Sequence, residues 1–104
     1  MKIFVDIDET IFNTKKTDYN SSKPIKKNID IVNKLYDEGH HITMWTARGA
    51  VSGIDWRVLT EQQLKDFGVK YHELRLDKPF FDIFVDDKTF NSLDFFDDPK
   101  SFIK

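Results

Sequence analysis

The chain contains no cysteine among its 104 residues. That excludes disulfides, thiolate nucleophiles and Cys-built zinc sites together, so any chemistry must run on oxygen, nitrogen or a hard metal ion. Long apolar runs are missing too. Met1-Lys2 leads at once into Ile3-Phe4-Val5-Asp6, too short a run for a signal peptide, and no later stretch approaches the roughly eighteen apolar residues of a membrane span. The chain therefore reads as cytoplasmic, with no membrane partner. Neither sign of charge dominates: 16 Lys and Arg against 18 Asp and Glu give a formal net charge of -2, which offers a nucleic acid polymer no electrostatic footing. Repeats, low-complexity tracts and internal linkers are absent as well, so one domain spanning 1–104 is expected.

Aromatic residues are plentiful, with 10 Phe, and the 39% hydrophobic and 33% charged composition is that of an ordinary globular domain. Four short apolar runs rich in β-branched and aromatic residues read as strands: Lys2 to Val5, His41 to Trp45, Val69 to Leu74 and Phe81 to Val85. Between the first two, Ile25 to Glu38 sets Ile29, Val32, Leu35 and Tyr36 on one helical face and ends at Gly39. Between the second and third, Asp55 can cap a helix carrying Trp56, Leu59, Leu64 and Phe67 that ends at Gly68. Strand and helix alternating in compact units imply an α/β fold with a parallel sheet. Asn13 to Pro24 reads as a polar surface loop or flap. In the tail, Phe90, Leu93, Phe95, Phe96, Phe102 and Ile103 are expected to pack back.

Ligands of such sheets bind outside the carboxyl ends of the strands. The first strand runs out into Asp6-Ile7-Asp8-Glu9-Thr10, the second into Thr46-Ala47-Arg48-Gly49, and the fourth into Asp86-Asp87, with Lys78 just before it. Hydroxyl, guanidinium and free amides at the second strand end are partners for an oxyanion. Converging carboxylates repel unless a proton or cation neutralises one of them. With only oxygen donors available, a hard divalent ion such as magnesium, which takes one or two carboxylates plus substrate phosphate, is the economical answer. That points to phosphoryl transfer.

These residues resemble the haloacid dehalogenase superfamily. Phe4-Val5-Asp6-Ile7-Asp8-Glu9-Thr10 looks like its first motif, Asp-x-Asp-x-Thr after an apolar strand. Thr46 falls at its second, Lys78 at its third and Asp86-Asp87 at its fourth, in the family's order from Lys2 to about Lys88. The resemblance implies a small Rossmann-like three-layer sandwich in strand order 3-2-1-4 and a magnesium-dependent phosphatase working through an aspartyl-phosphate. Asp6 would be the nucleophile and Asp8 the general acid and base. Thr46 and nearby amides would hold the phosphoryl oxygens, and Lys78 would neutralise charge on Asp6 and the phosphoryl group. Asp6, the Asp8 carbonyl and Asp86 would bind Mg2+, with Asp87 a direct, water-mediated or supporting partner.

The chain departs from the family in carrying Glu9 at a position that is often Gly, and in having Asp86-Asp87 adjacent rather than spaced. About 37 residues separate Asp8 from Thr46 and about 31 separate Thr46 from Lys78, which leaves no room for a cap domain. An open site expects either a homo-oligomer that covers it or a large substrate. Among phosphomonoesters a small sugar or metabolite phosphate ranks first, a nucleoside monophosphate second and a phosphoprotein third. A non-catalytic phosphate-binding module is the competing class. Arg48 either contacts the substrate or pairs with a carboxylate. His40, His41 and His72 lack a spacing that would gather them and receive no role. Trp45 and Trp56 read as core or rim packing. Lys15, Lys16, Lys23, Lys26 and Lys27 form either a solvated face or an attractor for an anionic substrate.

Overall fold

In the computed structural model, which describes residues 1–103, the chain runs β1 (Lys2–Val5), β2 (Phe12–Asn13), β3 (Lys23–Pro24), α1 (Lys26–Asp37), β4 (His41–Trp45), α2 (Arg57–Asp66), β5 (Glu73–Arg75) and α3 (Ser92–Asp97). Single 3₁₀ turns lie at Tyr19–Ser21 and Pro99–Ser101. The fold class is α/β, as the alternating pattern expects. β1 pairs in parallel with β4, Lys2 opposite His41 through Val5 opposite Met44, and β4 pairs in parallel with β5, Thr43 opposite Glu73 through Trp45 opposite Arg75. The sheet order is β1-β4-β5, which reproduces the expected adjacency of the first three strands.

α1 buries Ile29, Val32 and Leu35, spaced three apart as an amphipathic helix requires. They meet Val5, Ile42 and Met44 of the sheet in one apolar cluster, each buried side chain worth roughly 1.5–3 kcal/mol. β5 starts four residues later than its apolar run. Gly68 leaves α2 with φ 70°, Val69 N–H bonds back to the Leu64 carbonyl at 2.9 Å, and Lys70 N–H donates to Asn33 Oδ1 at 2.8 Å. Val69 and Lys70 are thus tied to the two helices before the ladder begins. The flap at Asn13 to Pro24 is an antiparallel hairpin, Phe12 opposite Pro24 and Asn13 opposite Lys23.

The expected fourth strand is corrected. Phe81 to Val85 forms no ladder, bends at Asp82 and leaves Ile83 80% and Val85 91% exposed. In an extended strand, side chains three apart point to opposite faces. Here the Phe81 and Phe84 rings pair at 5.1 Å, and the Lys78 ammonium lies 5.4 Å from the Phe81 ring centre. Local ring contacts replace strand pairing, and β1 stays an edge strand. The tail is corrected in part: Phe96 is buried, while Leu93 faces solvent and Phe90, 53% exposed, packs its ring on Phe102 at 4.3 Å. Among the described residues no helix is long and apolar enough to cross a membrane.

Candidate active site

Ile7 is the pivot of the first strand end. It is fully buried, so Asp6 and Asp8 on either side of it turn away from the core together. The Ile7 carbonyl then accepts from the amides of Thr10, Ile11 and Phe12 at 2.9–3.1 Å, closing a tight turn. Glu9 sits in this turn with φ 61°, the left-handed region that glycine occupies most easily. Glu9 is held there by its Oε1 accepting from Thr14 N–H at 2.9 Å.

The second strand end supplies Thr46, almost fully buried. Its amide donates to the Arg75 carbonyl at 3.0 Å, its carbonyl accepts from Lys78 N–H at 3.2 Å, and its Oγ1 accepts from Arg48 N–H at 3.1 Å. These bonds bring Lys78 beside Thr46. Gly49 follows with φ 84°, where a Cβ would overlap the Ile54 carbonyl oxygen, so the loop admits only glycine. Lys78 Nζ then reaches Asp6 Oδ1 at 3.4 Å. Asp6, Asp8, Thr46, Arg48 and Lys78 all border one cleft of about 690 Å³.

Burial pushes the Asp6 carboxyl above its usual range and Asp8 adds to this, while Lys78 and the Ile7 amide oppose it. Next to Lys78, exposed Asp77 is held down to about 2 by hydrogen bonds from Arg75, then from the Trp45 indole at 2.9 Å. A depressed carboxyl stabilises the fold above its unfolded pKa and loses that effect as pH falls toward the folded value. Asp77→Asn is therefore expected to lower the melting temperature at about pH 6, with the difference from the native chain gone near pH 2. A pH-independent difference would show that the charge of Asp77 is not what matters.

Of the two readings of Arg48, the structure shows the pairing with a carboxylate, that of Asp8. The Arg48 side chain is 0% exposed. Nε donates to Asp8 Oδ2 at 3.0 Å, and Nη2 to Asp8 Oδ1 at 2.8 Å and Ser22 Oγ at 3.2 Å. Nη1 donates to Thr60 Oγ1 at 3.1 Å and Gln63 Oε1 at 2.6 Å. All five guanidinium donors are occupied, so none is left for a substrate. The Tyr19 ring stacks over its charge at 4.6 Å. Thr14 Oγ1 completes the hub by donating to Asp8 Oδ1 at 2.6 Å. Arg48 thus positions Asp8 and fastens the flap to α2. Sequence reading missed Thr14, Ser22, Thr60 and Gln63. The available signal was Thr60 and Gln63, two polar residues three apart on the helix face that also carries Leu64.

Asp86 and Asp87 are not brought to the cleft. Asp86 Oδ1 accepts from Lys88 N–H at 2.7 Å, a local turn, and both residues are exposed. Their absence follows from the unformed fourth strand. Among the described residues, no group of three or more His, Asp or Glu could hold a metal ion. The three-acid set expected for Mg2+ is therefore not assembled. With the Asp8 carboxylate engaged by Arg48 and Thr14, Asp6 alone offers the one carboxylate that magnesium needs beside substrate phosphate and water. His41 and His72 do meet, stacked at 4.6 Å, but at the opposite strand ends. Of the basic cluster, Lys16 borders the cleft.

No protein-family model and no curated protein matches this chain. Among solved structures it is similar to a structural-genomics target from Vibrio cholerae, with 23% identity, a TM-score of 0.83, and coverage of 91% of this chain and 86% of that one. At that identity the likeness establishes the fold alone, a small α/β architecture on a parallel sheet.

Proposed function

We propose that the cleft hydrolyses a phosphate monoester with Asp6 as the nucleophile, as a small capless, Rossmann-like member of the haloacid dehalogenase superfamily would. The observation that carries this reading is the meeting of Asp6, Thr46 and Lys78, from three separate chain segments, around a half-buried carboxylate facing an ammonium at 3.4 Å. An Asp6 oxygen would bond to phosphorus as the ester P–O bond breaks, with the leaving oxygen taking a proton from Asp8. Water would then attack phosphorus, giving its proton to Asp8 and breaking the bond to Asp6, which releases phosphate. Asp8 Oδ1 already accepts two hydrogen bonds and Oδ2 one, so the remaining lone pair on Oδ2 is where the travelling proton would sit. Thr46 and the amides after it would face the equatorial oxygens.

Magnesium dependence belongs to the same proposal and rests on the family resemblance and on Asp6. So does a homo-oligomer that closes the open side. The test is phosphate release from sugar phosphates, nucleotides and phosphopeptides, with magnesium or with chelator. Lys78→Met is expected to lower kcat/KM by about 10²–10³-fold, because a charge aimed at the phosphoryl group is lost. An unchanged value would remove Lys78 from the mechanism.

A second reading has its own support. The Asp8 carboxylate is engaged on both oxygens and the acid set is incomplete, which suits a phosphate-binding module without turnover. Phosphate binding with no release from any ester would favour it.

A further inference from the structure

Beyond the charged floor, the cleft is lined by Tyr19, Val51, Ile54, Trp56, Phe80 and Phe81. Three of these are unusually bare for large apolar side chains: Val51 is 79% exposed, Phe80 68% and Ile54 54%. Exposed apolar surface concentrated around a polar floor marks a binding site more often than chance. The rings also have a fixed arrangement. Tyr19 and Trp56 meet edge to face at 4.9 Å, and Phe81 is held between the Lys78 ammonium at 5.4 Å and Phe84 at 5.1 Å. Polar partners for a polyol on these walls are few: every Arg48 donor is occupied, which leaves the Lys16 ammonium and the hydroxyls of Thr17, Tyr19 and Ser52.

We infer that the leaving group accepted by this cleft carries a flat aromatic ring, so that the substrate is a nucleoside monophosphate rather than a bare sugar phosphate. The inference rests on the phosphomonoesterase reading above. The phosphate dianion lies toward Lys78 and Lys16 while the base slides between the apolar walls. Stacking on such side chains tolerates every base, because each presents a π-face.

The matched pair for the test is adenosine 5′-monophosphate and ribose 5-phosphate, which share the ester and differ in the base. The expected kcat/KM ratio is at least about 10-fold in favour of the nucleotide, the scale of one base stacked on aromatic side chains. Phe80→Ala and Phe81→Ala are expected to narrow it. Equal rates for the two esters, with release observed, would overturn the inference and leave the hydrolase reading intact. If neither ester nor p-nitrophenyl phosphate is turned over, the hydrolase reading fails. Quenching of tryptophan fluorescence then decides the matter: tighter binding of the nucleotide than of ribose 5-phosphate upholds the aromatic site, and equal or absent binding overturns it.

Discussion

Replacing Asp6 by Asn is expected to abolish phosphate release, by at least about 10³-fold, while leaving the fold as stable as before or more stable at neutral pH. The side chains match in shape, so the change removes the nucleophilic oxygen and its charge without opening a cavity. Burial is the largest influence on the Asp6 carboxyl and raises it, ahead of the opposing attraction of Lys78. A raised carboxyl pKa means that the folded chain holds the proton more tightly than the unfolded one. Its ionisation therefore costs stability once the pH exceeds the folded value, and costs nothing below the unfolded value. Asn has no charge to desolvate, so the penalty disappears at pH 7. The loss of Lys78's partner works against the gain, but Lys78 is itself 17% exposed and keeps contact with water. Melting temperatures of the two proteins should converge below about pH 4, where the native carboxyl is protonated as well. An Asn variant that still released phosphate would end the case for Asp6 as nucleophile. A marked loss of melting temperature at pH 7 would show instead that the Lys78 contact outweighs desolvation.

Much of this site was legible from chain order alone, because its parts sit at strand ends. Asp6, Asp8 and Thr46 each follow a short apolar run, and parallel pairing of those runs brings their carboxyl ends to one edge, whereas Lys78, expected beside a fourth strand that does not form, is seated by its amide bond to the Thr46 carbonyl. Ile7 between Asp6 and Asp8 enters the core, which leaves both acids facing the cleft. What was not legible depended on long-range geometry. The run Phe81 to Val85 has strand composition, yet pairing needs a neighbour as well as propensity. Here the run has no backbone partner, and the rings of Phe81 and Phe84 pack on each other instead. Asp86 and Asp87 then lose the position their spacing promised. Which carboxylate Arg48 pairs with was hidden for a different reason. Its four partner residues come from Asp8, the flap and one face of α2, and nothing local to Thr46-Ala47-Arg48 announces them. The histidines are the reverse case: far apart in sequence, His41 and His72 are stacked because parallel strands begin side by side.

Arg48→Met should then destabilise the fold strongly, costing about 3 kcal/mol, the lower end of what breaking a buried ion pair costs. The lower end applies because Asp8 keeps 23% of its side chain in water, so its charge is not wholly stranded. Thr60, Gln63 and Ser22 also lose their common donor. Arg48→Lys should recover only part of the loss. An ammonium has three donors in place of five and no planar fork to span both Asp8 oxygens. Combining Arg48→Met with Asp8→Asn should cost less than the sum of the two single changes, because the second removes the charge that the first leaves unpaired. Denaturant unfolding of the four proteins measures this coupling. It also separates the two roles open to an arginine at a phosphate site. A substrate ligand would raise KM when changed to Lys and leave unfolding untouched. A residue that positions Asp8 lowers kcat and stability together, and the flap, tied to α2 through the same guanidinium, should become more protease-sensitive at Asn13 to Pro24 in step with them. Additive unfolding costs in the cycle, with the defect confined to KM, would return Arg48 to the substrate.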